Sequence, residues 1–306
     1  MLKILPVLTI CMAFSVCSLN SMAAKASDVF AEDSDPILVG KALPFTIKML
    51  ESLAEAKPKS HKRLETTGSL YIMYANAFVQ GPAEQMPQEL FRESRAEKDR
   101  AVNLYLRGLD FMYRRLELKY PGFSASFQQN KSAQILAKMK KNDVPSLYWA
   151  AVAGISAYSL RQFDPALSLR HTEFLALAER AYELDPDFNK GALDEFLFLY
   201  YMQIPEFLGG DKKKAEIHFN RAMEKSGGLL ASIYVSYATA VSIPNQDYDK
   251  FKEYIEKALS VDIDASPSNR LVNVISQKKA QYLLDSAERL FIFYGEDDYE
   301  EDDWYS

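Results

Sequence analysis

Three stretches of the chain carry no charged side chain: Thr66 to Ala83 (TTGSLYIMYANAFVQGPA), Val144 to Leu160 (VPSLYWAAVAGISAYSL) and Ser226 to Gln246 (SGGLLASIYVSYATAVSIPNQ). Each mixes small residues with tyrosines. A helix without a charged face must be buried, or must line a wet space inside protein. The first stretch predicts a helix that starts near Arg63 and runs towards Glu84, with Gly81–Pro82 as a stop signal. The segments between are amphipathic at helical spacing. Val39 to Ala56 places Leu43, Ile47, Leu50 and Leu53 on one side. Glu89 to Tyr120 predicts a long helix, Lys131 to Lys141 a shorter basic one, and Asp211 to Lys225 one bounded by Gly209–Gly210 and Gly227–Gly228. Ser268 to Phe293 predicts a last helix packing through Leu271, Ile275, Leu283, Leu284 and Leu290. No β alternation of useful length occurs, so the expected fold is all-α with about eleven helices. The charge-free helices should form its inside and the charged ones its outside.

A second periodicity runs through the charged helices. Ala101, Tyr105 and Gly108 are spaced i, i+4, i+7; so are Phe174, Ala178 and Ala181, then Ala215, Phe219 and Ala222, then Phe251, Ile255 and Ala258. The last positions of consecutive copies lie 73, 41 and 36 residues apart. A helix-pair repeat of about 34 residues with small and aromatic positions in its second helix is the tetratricopeptide pattern. Here it is degenerate: Trp149 could serve as a first-helix aromatic, but the full first-helix signature is missing. The charge-free stretches fall where first helices belong. The expected architecture is a superhelical stack of helix pairs with those stretches on its concave side.

Composition adds limits. Hydrophobic residues at 48% and charged residues at 25% are ordinary for a globular chain. The net charge of −6 gives no basis for nucleic-acid binding. Lys3, an apolar run from Ile4 to Val16, and the small-x-small sites Ser21-Met22-Ala23 and Ala24-Lys25-Ala26 read as a secretory signal. The run is too short to span a bilayer. The expected plan is a signal peptide over 1–26, a flexible lead-in over 27–40, one helical domain over 41–294 and an acidic, disordered tail over 295–306. That tail holds seven carboxylates and no base. Both cysteines, Cys11 and Cys17, lie in the signal, so its removal leaves no disulfide, thiol catalyst or Cys-ligated metal. An acylated Cys17 that anchors the protein to a membrane is the alternative; Val16, where a small residue is expected, weighs against it. The protein is expected in the periplasm.

Candidate chemistry is sparse. His61, His171 and His218 are scattered over charged faces or loops, and no HExxH, nucleotide-binding glycine loop or nucleophile elbow is present. No metal, cofactor or catalytic residue is expected. The polar candidates are groups stranded in apolar surroundings: Asn76, Gln80 and Glu84 at i, i+4, i+8, Asp194 and Glu195 before an aromatic run, and Gln246–Asp247. Each reads as a hydrogen-bonded core or cap residue, with ligand contact as the sharper alternative. A general-acid pair of Glu84 with Glu195 is conceivable, because burial raises a carboxyl pKa. Tyr71, Tyr74, Asn76, Gln80, Trp149, Tyr200, Tyr201, Tyr234 and Tyr237 are the expected cavity-lining residues, since tyrosine suits a wall that meets water or ligand.

Several ordered segments carry a resemblance: GSLYIMYANAFVQGPAEQMP, NLYLRG, DVPSLYWAA, ERAYELDPDFNKGA, EFLFLYY, PEFLGGDKKKAEIHFNRAMEKSGG, YVSYA and RLVNVISQKKAQYLL. Over roughly Lys41 to Phe293 the chain resembles the T-component family of TRAP (tripartite ATP-independent periplasmic) transporter-associated proteins. The resemblance implies an all-α, tetratricopeptide-like homotrimer that docks a periplasmic solute-binding protein and offers an apolar pore or cleft to a hydrophobic or organic-acid ligand. The chain departs from the family pattern at Asp194–Glu195, where His-Glu is usual, and at Lys278-Lys279-Ala280-Gln281-Tyr282, where an arginine-rich run is usual. The competing reading is a general periplasmic tetratricopeptide scaffold for envelope assembly.

Overall fold

The computed structural model describes residues 28–129 and 131–292, and every regular element among them is helical. The signal peptide and the acidic tail lie outside these residues. Ten principal helices follow one another. They are α1 (Pro36–Ala56), α2 (His61–Tyr74, continued by a π-helical turn Ala75–Gln80 and a last turn Gly81–Glu84) and α3 (Phe91–Lys119). Then come α4 (Val144–Leu160), α5 (His171–Leu184), α6 (Ala192–Gln203) and α7 (Lys212–Ser226). The last three are α8 (Ala231–Tyr237, continued by a π turn Ala238–Ser242), α9 (Tyr248–Ser260) and α10 (Arg270–Asp285). The α1 helix starts at Pro36, inside the expected flexible lead-in. The Asp35 carboxylate accepts from the Ile37 and Leu38 amides, and Pro36 occupies the first turn, where a missing N–H costs nothing. The basic segment from Lys131 forms only the short turn Ser132–Leu136, and the last helix breaks after Asp285 before a final turn Ala287–Leu290.

Neighbouring helices pack antiparallel. On α1 and α2, the Arg63 side chain donates to the Leu53 carbonyl while Tyr71 donates to Glu51. Between α3 and α4, Arg161 meets Asp99 at one end and Arg115 meets Asp143 at the other. The α1 stripe Val39, Leu43, Ile47, Leu50 and Ala54 is buried, as helical spacing dictates. All twelve residues of the four small–aromatic copies are buried, on α3, α5, α7 and α9. The last helix returns to the first two. Leu271 packs on the α1 cluster, Arg270 donates to the Glu32 carbonyl at 2.9 Å, and Lys279 reaches Glu84 at 3.4 Å.

The tightest crossing joins α2 and α3. A methyl group on Gly68 would lie 2.9 Å from the Gly108 carbonyl oxygen, and one on Gly108 would lie 2.9 Å from the Gly68 carbonyl oxygen. Backbone meets backbone there, so no rotamer change can relieve an added carbon.

A buried charge cluster fixes the start of α4. Asp143 has no exposed surface. It accepts from Arg115 at 2.6 Å, Lys119 at 2.7 Å, Tyr120 at 2.6 Å and the Lys140 amide at 3.0 Å. Burial pushes this carboxyl up, and the hydrogen bonds from Lys119, Tyr120, the Lys140 amide and Arg115 outweigh it, holding the pKa at about 2. The Tyr120 hydroxyl moves the other way, to about 12, through its burial and its hydrogen bond to that carboxylate.

Two predictions follow from these contacts. Gly68→Ala and Gly108→Ala are each expected to lower stability by about 1–2 kcal/mol, the clash exceeding the helix propensity that alanine adds. The measurement is the urea midpoint at unchanged slope; a midpoint at or above wild type would contradict the close crossing. For Asp143 the folded pKa lies below the unfolded value of about 3.9. Its contribution is therefore complete above about pH 4 and is lost as pH falls towards 2, a decline of about 2 kcal/mol. Asp143→Asn should lose stability at neutral pH and show a flatter acid limb; equal acid limbs in the two proteins would refute the assignment.

Candidate functional site

Asp194 and Glu195 are neighbours in the first turn of α6, about 100° apart around its axis. They point into opposite environments. Asp194 is fully buried against α7, where His218 Nδ1 lies 2.8 Å away and Lys225 Nζ donates at 2.8 Å. Burial pushes its carboxyl up, but the hydrogen bonds from His218 and Lys225 win, and the pKa is lowered. Glu195 turns to α8. Its Oε2 accepts from Ser232 at 3.0 Å and its Oε1 from Ser236 at 2.8 Å. The two serines stand one turn apart and so share a face. Burial raises the Glu195 pKa, and the two hydroxyl hydrogen bonds only partly offset it.

Glu195 is half-buried. Tyr148 on α4 is half-buried as well. Burial and then the nearby Glu195 charge raise the Tyr148 hydroxyl well above its ordinary value. Tyr148 packs edge-on against Trp149, with ring centroids 5.1 Å apart, and against Phe188 at 5.3 Å. On α8, Tyr237 lies partly open and stacks on Tyr254 at 4.0 Å. Tyr234 is also partly open, 6.3 Å from Tyr254.

The other expected wall residues divide. Tyr74, Asn76 and Gln80 keep solvent contact. Tyr74 accepts a long hydrogen bond from Arg100 at 3.4 Å. Gln80 accepts from Tyr105 at 2.6 Å and donates to Glu84 at 2.7 Å. Tyr71 is 2% exposed, stacks on Phe111 and closes the α1–α2 seam through Glu51. Tyr200 is 1% exposed and Tyr201 4%. Tyr201 donates to Glu179 at 2.7 Å and stacks on His218, whereas the Tyr200 hydroxyl is buried with no hydrogen-bond partner. These three are core residues. Trp149, Tyr148 and Glu195 are half-buried.

Glu84 and Glu195 have separate partners, so no acid pair forms: Glu84 is held by Gln80 and Lys279. Gln246 and Asp247 are connection residues. Gln246 sits at φ +55° and clamps Ile243, Leu290 and Ile292 through its amide. Asp247 caps α9 by accepting from the Lys250 amide at 2.9 Å. His171 and His218, expected on charged faces, are 8% and 9% exposed. The His171 nitrogens contact the Ser168 and Leu208 carbonyls. Sequence reasoning missed Ser232 and Ser236, although their i, i+4 spacing in an uncharged helix was a usable signal. No group of three or more potential metal ligands occurs among the described residues, and no helix there is long and apolar enough to cross a membrane.

Comparison with known proteins agrees with the resemblance in the sequence. The TRAP transporter T-component family matches residues 32–291. An uncharacterized protein of Treponema pallidum (strain Nichols) is 33% identical over 268 residues, covering 86% of this chain and 83% of that protein. The chain belongs to the TRAP transporter T-component family, and is thus a transporter accessory component rather than an enzyme.

Proposed function

We propose that this protein is an exported, periplasmic subunit that docks the solute-binding protein of a TRAP-type system and offers its hydrophobic ligand an apolar passage. It works as a homotrimer, with each protomer a superhelical stack of tetratricopeptide-like helix pairs. The observation that supports the passage is the set of half-buried aromatic and polar residues on α4, α6 and α8: Tyr148, Trp149, Glu195, Ser232, Ser236 and Tyr237. The contacts of α10 with α1 and α2 support it further, because a row of helices whose ends meet must curl around an interior. Tyr74, Asn76 and Gln80 extend the wall along α2. An interior that meets water through tyrosines and serines can pass an apolar solute while solvating its polar end.

Docking requires no chemistry from this chain, only a surface and an open route. The expected outcome is a trimer by size exclusion with light scattering, and a complex with the solute-binding protein encoded beside its gene. A monomer that ignores that protein would refute the reading.

A further inference from the structure

Large apolar side chains stand in water at one end of the helix stack. Neighbouring helices run antiparallel, so the α2–α3, α4–α5 and α6–α7 connections share that end. Arg161 at the end of α4 is held by Asp99 of α3 at 2.9 Å. The His171 ring contacts the Ser168 carbonyl at 2.7 Å and the Leu208 carbonyl at 3.1 Å, which pins the α4–α5 connection to the α6–α7 connection. On these two pinned connections Phe163 is 98% exposed, Leu169 82% and Phe207 86%. Leu90 and Phe91, at the start of α3, are exposed as well. The connections at the opposite end expose charge instead: Lys138, Lys140 and Lys141 before α4, and Asp187 and Lys190 before α6. Exposed apolar groups gathered at one place mark a contact surface for protein or membrane.

Three observations favour a bilayer. First, the apolar groups are separate tips on two connections rather than one flat face. Lipid closes around isolated protrusions, whereas a protein partner needs a fitted, continuous surface. Second, the tips have basic neighbours. Residues 161–170 and 204–214 hold five cations against three carboxylates. Two of those carboxylates, Asp164 and Asp211, are engaged by backbone amides as helix caps. Lys212, Lys213 and Lys214 are exposed beside the Phe207 connection, and clustered lysines attract anionic lipid. Third, the chain enters the body at this end. The start of α1 packs on the late turns of α2, where a methyl group on Gly40 would lie 2.7 Å from the Phe78 ring. The sequence ahead of that start carries Cys17, so an acyl anchor there would hold the same end towards the bilayer.

We propose that the α4–α5 and α6–α7 connections form a membrane-contact face. Phe163, Leu169 and Phe207 enter the interface of an anionic phospholipid bilayer, and Lys212, Lys213 and Lys214 meet its headgroups. The contact is peripheral, since no described helix is long and apolar enough to cross a membrane. It stands the stack end-on to the bilayer and does not depend on the ligand passage proposed above.

Cosedimentation with vesicles tests this, using the exported protein with Cys17→Ser so that no acyl chain contributes. Vesicles of phosphatidylglycerol and phosphatidylcholine in equal parts should bind the protein, and vesicles of phosphatidylcholine alone should bind it more weakly. Phe163→Ser/Phe207→Ser should weaken binding to the mixed vesicles about tenfold or more, because two rings lose their apolar contact. Its urea midpoint should stay at the wild-type value, since neither ring is packed. Lys212→Gln and Lys213→Gln should each cost about fivefold on mixed vesicles and little on phosphatidylcholine. Phe45→Ser, at an exposed ring midway along α1, should bind as wild type does. Wild type that ignores mixed vesicles, or Phe163→Ser/Phe207→Ser that binds them unchanged, would overturn the face. So would an equal loss in Phe45→Ser, which would indicate unspecific apolar adhesion. A change of oligomer size by light scattering in Phe163→Ser/Phe207→Ser, without vesicle binding by wild type, would assign the tips to contact between copies and overturn it too.

Discussion

Close helix approach is the constraint on which this molecule depends. The α2 and α3 backbones touch at Gly68 and Gly108, and Gly154 of α4 leaves room for the Phe174 ring, which a methyl group there would meet at 2.3 Å. Ala178, Ala181, Ala215, Ala222 and Ala258 are buried on α5, α7 and α9. Small residues let one helix settle into the next, and the aromatic beside each fills the groove that the small residues leave. Packing against α3, α5, α7 and α9 fixes the rotation of α4, α6 and α8, and with it the half-buried positions of Tyr148, Trp149, Glu195, Ser232 and Ser236.

Charge placement obeys the same geometry. The interior tolerates Asp143 and Asp194 because the facing helix brings donors to each: Arg115 and Lys119 from α3 to Asp143, and Lys225 with the His218 ring from α7 to Asp194. Both clusters stand at the N-terminal ends of first helices, where the helix dipole also favours a carboxylate. They lock the ends of α4 and α6 in place. Glu195 sits one residue after Asp194 and inherits a fixed direction, since its neighbour cannot rotate without breaking its contacts to His218 and Lys225.

Much of the fold was legible because its signals are periodic. The α1 stripe, the four small–aromatic copies and the bounds of α4 follow directly from residue spacing, and each is buried or placed as spacing requires. The candidate site was legible only in part, for a physical reason. A helix without charges has no polar face to mark its orientation, so tyrosines on both sides look alike. Tyr71 and Tyr200 are core, whereas Tyr148 and Tyr237 are half-buried; nothing in the local sequence pattern separates them. What separates them is the register of the partner helix, which depends on Gly68, Gly108 and Gly154. His171 and His218 were misplaced for a related reason: their charged neighbours suggest solvent, while ring stacking on Tyr158 and Tyr201 draws them inside.

Pro82 shows how far local rules carry. Gly81–Pro82 reads as a helix stop, yet α2 continues to Glu84. A proline inside an α-helix removes one hydrogen bond and clashes with the carbonyl four residues back. Here the preceding turn widens. The Gly81 amide bonds to the Asn76 carbonyl, five residues back, across the π turn Ala75–Gln80. The arrangement recurs in α8, where the π turn Ala238–Ser242 lets the Ile243 amide bond to the Ala238 carbonyl ahead of Pro244. In both helices the proline stands two residues beyond the wide turn. The third charge-free helix, α4, has Pro145 in its first turn, where no clash arises, and it has no such widening. The widened turn also shifts angular phase. Asn76, exposed, and Gln80, half-buried, nevertheless both face the Tyr105 hydroxyl. Two of the three charge-free helices thus carry their polar residues around a local change of pitch, which is a common feature of functional helices. A proline that fails to end a helix redirects what the helix presents to the interior.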